Sequence, residues 1–223
     1  MKIGFLTDGK LNSFAKNAPQ SGAELYCFAF GSIGEVNYER EVNGDGFELE
    51  DVAFFSKNFN CCAVVGCYTD TKGIKRKSAV IADRGRILGV SDATSSFDGD
   101  KYKCGAGIRV YDTSVGKVGV LVGRDIYFPD LVKSLAQCGA ETVVCAYEHV
   151  GDNLEQILLR ADAFRYGISF IMTSHGYAQI ADAGGSLAFA SPLSVSYCET
   201  APVKEYHLVE TRRRGFYRPQ NVF

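Results

Sequence analysis

From Lys117 to Ser174 the chain reads strand, helix, strand, helix, strand, and this run limits the possible folds more than any other feature. Lys117–Val122 is an apolar run of strand length. Pro129–Cys138 predicts a helix, because its proline fits the first turn, where a missing N–H costs nothing, and Gly139 follows as a C-cap. Leu131, Val132, Leu135 and Ala136 make its buried stripe. Glu141–Tyr147 predicts a strand. Asn153–Tyr166 predicts a second helix with Leu154, Ile157, Leu158, Ala161 and Phe164 on one face, and Ile168–Ser174 a strand after Gly167.

The flanks add mostly strands. Lys2–Leu6 and Glu24–Phe30 are apolar runs too short for helices, with a short helix expected in 10–18. Phe47–Phe59 places Leu49, Val52, Ala53 and Phe55 at helical spacing. Cys61–Tyr68 and Lys77–Ala82 predict a hairpin around the polar loop Asp70–Arg76, followed by a strand at Ile87–Val90. Ile108–Asp112 pairs with Lys117–Val122 through Ser114–Gly116. Ser186–Ala190, Leu193–Tyr197 and Tyr206–Thr211 read as a closing meander. The sum is a single mixed α/β domain over residues 1–223, with two sheets packed together and helices on their outer faces.

Composition excludes several functions. The net charge of −2 favours neither nucleic acid nor an anionic membrane, and Arg212-Arg213-Arg214 reads as a solvated or subunit-contact run. No segment approaches the roughly 18 apolar residues of a membrane span. The N-terminal MKIGFLTDGK lacks the apolar stretch of a signal peptide. Of the eight cysteines, Cys27, Cys62, Cys67 and Cys145 sit in apolar runs, no CxxC occurs, and no histidine is spaced to complete a zinc site. Cys61 and Cys62 point to opposite faces of a strand. A cytoplasmic protein with reduced thiols and no metal is expected. Gly105-Ala106-Gly107 precedes a strand, not a helix, so no dinucleotide loop is present and no cofactor is expected.

The segment Lys117–Glu141, KVGVLVGRDIYFPDLVKSLAQCGAE, resembles the nucleophile region of the nitrilase, or carbon–nitrogen hydrolase, superfamily. There an apolar strand leads into Cys-x-Asp, an aromatic-Pro-acidic helix start and a helix ending in Gly-Ala-Glu. Asp125, Phe128, Pro129, Asp130 and Gly139-Ala140-Glu141 match. KSAVIADRGRILGV (77–90) resembles the family's strand–turn–strand, and SGAELYCFAF (21–30) the strand leading to its catalytic Glu. The resemblance covers roughly residues 1–215 and implies a four-layer αββα sandwich. One departure is the first helix, for which residues 10–21 leave about half the family's length.

The family's chemistry uses a Cys nucleophile, a Glu as general base and acid, and a Lys that stabilises the tetrahedral intermediate. On this sequence the Cys position falls on Gly123, in a register pinned by Asp125, Phe128 and Pro129. The Glu position falls on Phe30 and the Lys position on Ala93, although Lys101 or Lys103 could enter by a shifted loop. All three replacements lack a titratable group, so the resemblance implies a protein without the family's thiol chemistry. The substitutions fit either a pocket filled by apolar packing or one remade for a more hydrophobic ligand. Its expected lining is Phe30, Gly123, Arg124, Asp125, Tyr147, Glu148 and His149.

Two functions remain open at this point. One is a pseudoenzyme that acts by binding a small molecule or by assembly, as a homodimer formed through helices 129–138 and 153–166. The other is an active hydrolase with relocated groups, of which Cys145, Glu148 and His149 are the candidates. Glu35, exposed Cys104 and the strand-terminal His175 are weaker candidates.

Overall fold

A computed structural model describes residues 1–17, 21–96, 99–151 and 153–201. The expected strand Tyr206–Thr211 and the run Arg212–Arg214 lie outside these residues.

Two sheets form the centre of the fold. The first contains β1 (Lys2–Leu6), β2 (Leu25–Phe28), β3 (Glu35–Asn37), β4 (Cys62–Thr71), β5 (Ile74–Asp83), β6 (Arg86–Asp92) and a late strand, β13 (Val195–Glu199). Its order is β13-β1-β2-β4-β5-β6, with β3 paired to the far end of β4. The second contains β7 (Arg109–Thr113), β8 (Gly116–Val122), β9 (Thr142–Ala146), β10 (Ser169–Ser174), β11 (Tyr177–Ala181) and β12 (Leu187–Ser191), in the order β12-β11-β10-β9-β8-β7. β8, β9 and β10 run parallel, as their helical crossovers require.

Side-chain alternation sorts the core into three layers. Ile3, Phe5, Cys27, Val64 and Ile81 from the first sheet meet Val118, Val120, Val144, Ala146 and Ile171 from the second. The other face of the first sheet packs against α1 (Leu11–Asn17) and α3 (Glu48–Asn58), where the rings of Phe14, Tyr26, Phe28 and Phe55 meet one another. The other face of the second sheet packs against α4 (Pro129–Gln137) and α5 (Leu154–Tyr166). The result is the αββα sandwich expected from the sequence.

Several elements differ from expectation. β3 and α2 (Tyr38–Asn43) were not foreseen; Asn37 caps α2 by accepting from the Arg40 N–H at 3.0 Å. β11 follows β10 through a tight turn at His175-Gly176, where Gly176 takes φ +70°. The closing strands are not a meander. β12 joins the second sheet, and the chain then crosses to pair β13 with β1 of the first.

α5 departs most. Its buried residues are Glu155, Leu159, Asp162 and Ala163, whereas Leu154, Ile157 and Phe164 are 46%, 58% and 48% exposed. The apolar face read from the sequence therefore points mainly outward, and two carboxylates point inward. Among the described residues, no helix is long and apolar enough to cross a membrane.

Candidate functional site

The inter-sheet face is apolar through most of its length and becomes polar at one end. On β5, Lys77 continues the inward row of Ala79 and Ile81; on β4, Tyr68 continues that of Cys62 and Val64. Past β9, Glu148 continues the row of Val144 and Ala146. These polar ends meet. Lys77 Nζ lies 2.7 Å from Glu148 Oε2 and 3.4 Å from Asp100 Oδ2, and the Tyr68 hydroxyl donates to Glu148 Oε1 at 2.6 Å. Tyr102 stacks on Tyr68 with ring centroids 5.1 Å apart, and Lys77 Nζ sits 5.2 Å from the Tyr102 ring centre.

Burial penalises the Lys77 ammonium, but Glu148, with help from Asp100, outweighs it and holds the lysine above its ordinary value. Burial and then the Glu148 contact push the Tyr68 phenol up. Asp100 is also penalised by partial burial, yet the Tyr102 N–H, Lys77 and Arg124 hold its carboxyl below the usual range. The cluster thus sets a lysine held in its charged form against Glu148 and Asp100.

The positions that the sequence aligned with the family's catalytic residues border this cluster. Phe30 follows β2, with its ring centroid 5.3 Å from that of Tyr68. A Cβ at Gly66 would come within 2.8 Å of the Phe30 ring, so the ring lies flat on bare backbone. Ala93 is buried, and its N–H donates to the Lys77 carbonyl at 2.8 Å. Gly123 opens a 3-10 turn (Gly123–Tyr127) at φ +56°, and a Cβ there would meet only Lys77 Cδ, at 3.9 Å, among the described residues. Lys77 therefore touches both the Ala93 and the Gly123 positions.

Asp125 explains why that segment keeps its place. Its buried carboxylate accepts from the Thr94 N–H at 3.0 Å, the Ser95 N–H at 2.9 Å and the Ser95 hydroxyl at 2.6 Å. It clamps the segment after β6 onto the turn after β8. Burial outweighs these bonds and leaves its carboxyl above the usual range.

Cys145, Glu148 and His149 are not brought together. Cys145 is fully buried on the helix-facing side of the second sheet, where desolvation pushes its thiol far up. Glu148 faces inward with Lys77, and exposed His149 lines a separate cleft with Arg124, Tyr127, Phe128, Tyr147 and Glu155. Arg124 and Tyr147 thus share His149's cleft. Glu35 pairs with Lys75 at 2.6 Å on the surface. Lys101 Nζ lies over the Tyr102 ring, and the Lys103 N–H donates to the Lys75 carbonyl. Cys104 is exposed with its thiol on the Ser96 hydroxyl, and His175 Nδ1 sits 3.9 Å from Asp8.

Lys77, Tyr68, Asp100 and Tyr102 were not foreseen as site residues. Lys77 did carry a signal: it occupies the inward phase of a strand whose next two inward residues are Ala79 and Ile81. This end of the sandwich places a polar cluster beside the Phe30 ring.

Four layers in this order, with α4 and α5 outside the second sheet, define the fold of the nitrilase superfamily, and this chain has that fold. Among solved structures, it superposes on an amidase from Nesterenkonia sp. AN1, captured after Michael addition of acrylamide at its active-site cysteine. That match has a TM-score of 0.76 and 17% identity over 98% of each chain. Saccharomyces cerevisiae Nit3, of branch 10 of the nitrilase superfamily, gives a TM-score of 0.78 at 14% identity, over 100% of this chain and 97% of that one. A probable nitrilase of Schizosaccharomyces pombe is 21% identical over 178 residues, which span 73% of this chain and 65% of that relative's length. No protein-family model matches the chain.

Proposed function

We propose that this chain is a single-domain nitrilase-superfamily protein that has given up carbon–nitrogen hydrolysis and acts by binding and assembly, as a homodimer. The observation that carries this is Gly123. At the position aligned with the family's nucleophile there is no side chain, and the nearest side chain is a lysine already paired with Glu148 and Asp100. A nucleophile, a base and an electrophilic group must converge on one reacting carbon. Here a base and a cation converge on each other.

The partner half of the proposal rests on α5. Leu154, Ile157 and Phe164 lie outward at helical spacing, and Phe128 beside the start of α4 is exposed as well. A second copy on this face would cover that stripe. All eight cysteines are free, which suits the reducing cytoplasm.

The test is direct. A panel of amides, nitriles and carbamoyl compounds should show no turnover above buffer at micromolar protein. A rate abolished by Glu148→Ala would overturn the proposal. Light scattering across micromolar concentrations should return twice the chain mass, and a monomer throughout would overturn the assembly half.

A further inference from the structure

The cleft that holds His149 lies on the opposite side of β9 from the Lys77–Glu148 pair and measures about 520 Å³. That is within the roughly 300–1,000 Å³ of small-molecule sites. Tyr127, Phe128 and Tyr147 give it aromatic walls, and Glu155, in the first turn of α5, closes its base. Glu155 is 5% exposed. Its Oε1 accepts from the Tyr127 hydroxyl at 2.5 Å and the Tyr147 hydroxyl at 2.8 Å. Its Oε2 is fully buried and has no hydrogen-bond partner among the described residues.

An unmet carboxylate oxygen of this kind is rare in folded proteins, because burial removes its water and nothing replaces it. Both neighbouring phenols already spend their protons on Oε1. Burial, reinforced by the Tyr127 and Glu155 contacts, pushes the Tyr147 phenol far up, so it stays a neutral donor. The group that completes the site must bring its own N–H or O–H and tolerate a negative partner. An aromatic-walled cleft around a carboxylate favours a cation. Arg124 at the rim is exposed, and its charge helps hold down the Asp100 carboxyl on the other side.

We propose that this cleft binds a small organic cation bearing a primary ammonium, whose N–H donates to Glu155 Oε2 while its carbon skeleton lies among Tyr127, Phe128 and Tyr147. The site shares no residue with the Lys77 cluster, so it stands or falls separately from the loss of hydrolysis.

Calorimetric titration of the full chain with phenethylammonium should give saturable binding of one ligand per chain. The trimethylated analogue, which keeps the charge but has no N–H, should bind at least 10-fold more weakly. Glu155→Gln should weaken phenethylammonium at least 10-fold. If Glu155→Gln does not fold, the comparison of the two ligands on the unaltered chain decides. Absence of saturable binding at millimolar phenethylammonium, or equal binding of both ligands, overturns the proposal. So does a Glu155→Gln chain whose only change is a weaker dimer, because the carboxylate would then serve the subunit contact.

Discussion

Gly123 adopts a backbone conformation, φ +56°, that an L side chain enters only at a cost of about 1–2 kcal/mol. Gly123→Ala should therefore lower stability by about that amount in urea unfolding, even though Lys77 leaves room for the methyl. Asp125 is the opposite case, a side chain whose removal leaves Thr94 and Ser95 donors without partners. Asp125→Ala should cost about 3 kcal/mol in the same assay. Asp162 sets a pH dependence. Burial raises its carboxyl to about 6, and the opposing charge of Arg165 does not restore it. The unfolded value is about 3.9. Between those values the folded chain holds a proton that the unfolded chain has released, so this group adds stability as the pH falls from 7 to 4. The gain should be on the order of 1–3 kcal/mol and absent in Asp162→Asn, read as the difference between the two unfolding profiles.

At the scale of elements, α4 and α5 differ in how much of them was legible in sequence. The α4 stripe reads correctly because Val132 and Leu135 are both its apolar face and its buried one. α5 also carries apolar residues at helical spacing, and sequence rules assign them to the core. In the fold the helix is turned so that Glu155 meets two tyrosines, Asp162 is buried, and Leu154, Ile157 and Phe164 remain outside. Helical spacing does not distinguish a buried apolar face from an exposed one. Ile157→Asp should give a folded monomer by light scattering with an unchanged circular dichroism spectrum. A dimer that survives it would place the subunit contact elsewhere.

Across the whole molecule, Lys77 and Glu148 form a tie between the two sheets, one residue from β5 and the other just past β9, with Tyr68 on the same carboxylate. Partly buried pairs of this kind gain little over apolar replacements, yet leaving one partner alone is expensive. Lys77→Met and Glu148→Gln should each destabilise more than the double variant would suggest, with a coupling of about 1–3 kcal/mol in a double-mutant cycle.

The αββα architecture followed from sequence because strand and helix periods are local, and the motif from Lys117 to Glu141 fixed the register of one parallel unit. That motif aligns Gly123 with the family's nucleophile through Asp125, Phe128 and Pro129, whereas Phe30 and Ala93 are aligned from their own flanks, Ala23-Glu24-Leu25 and Leu88-Gly89-Val90. What sequence could not supply is which polar residues converge from different strands. Tyr68 and Lys77 are cross-strand partners in one hairpin, but Glu148 lies past β9, and only the packing of one sheet on the other brings it within hydrogen-bonding distance of both. The outward turn of α5 and the unmet oxygen of Glu155 were likewise decided by tertiary structure, where burial depends on neighbours that a local pattern does not contain.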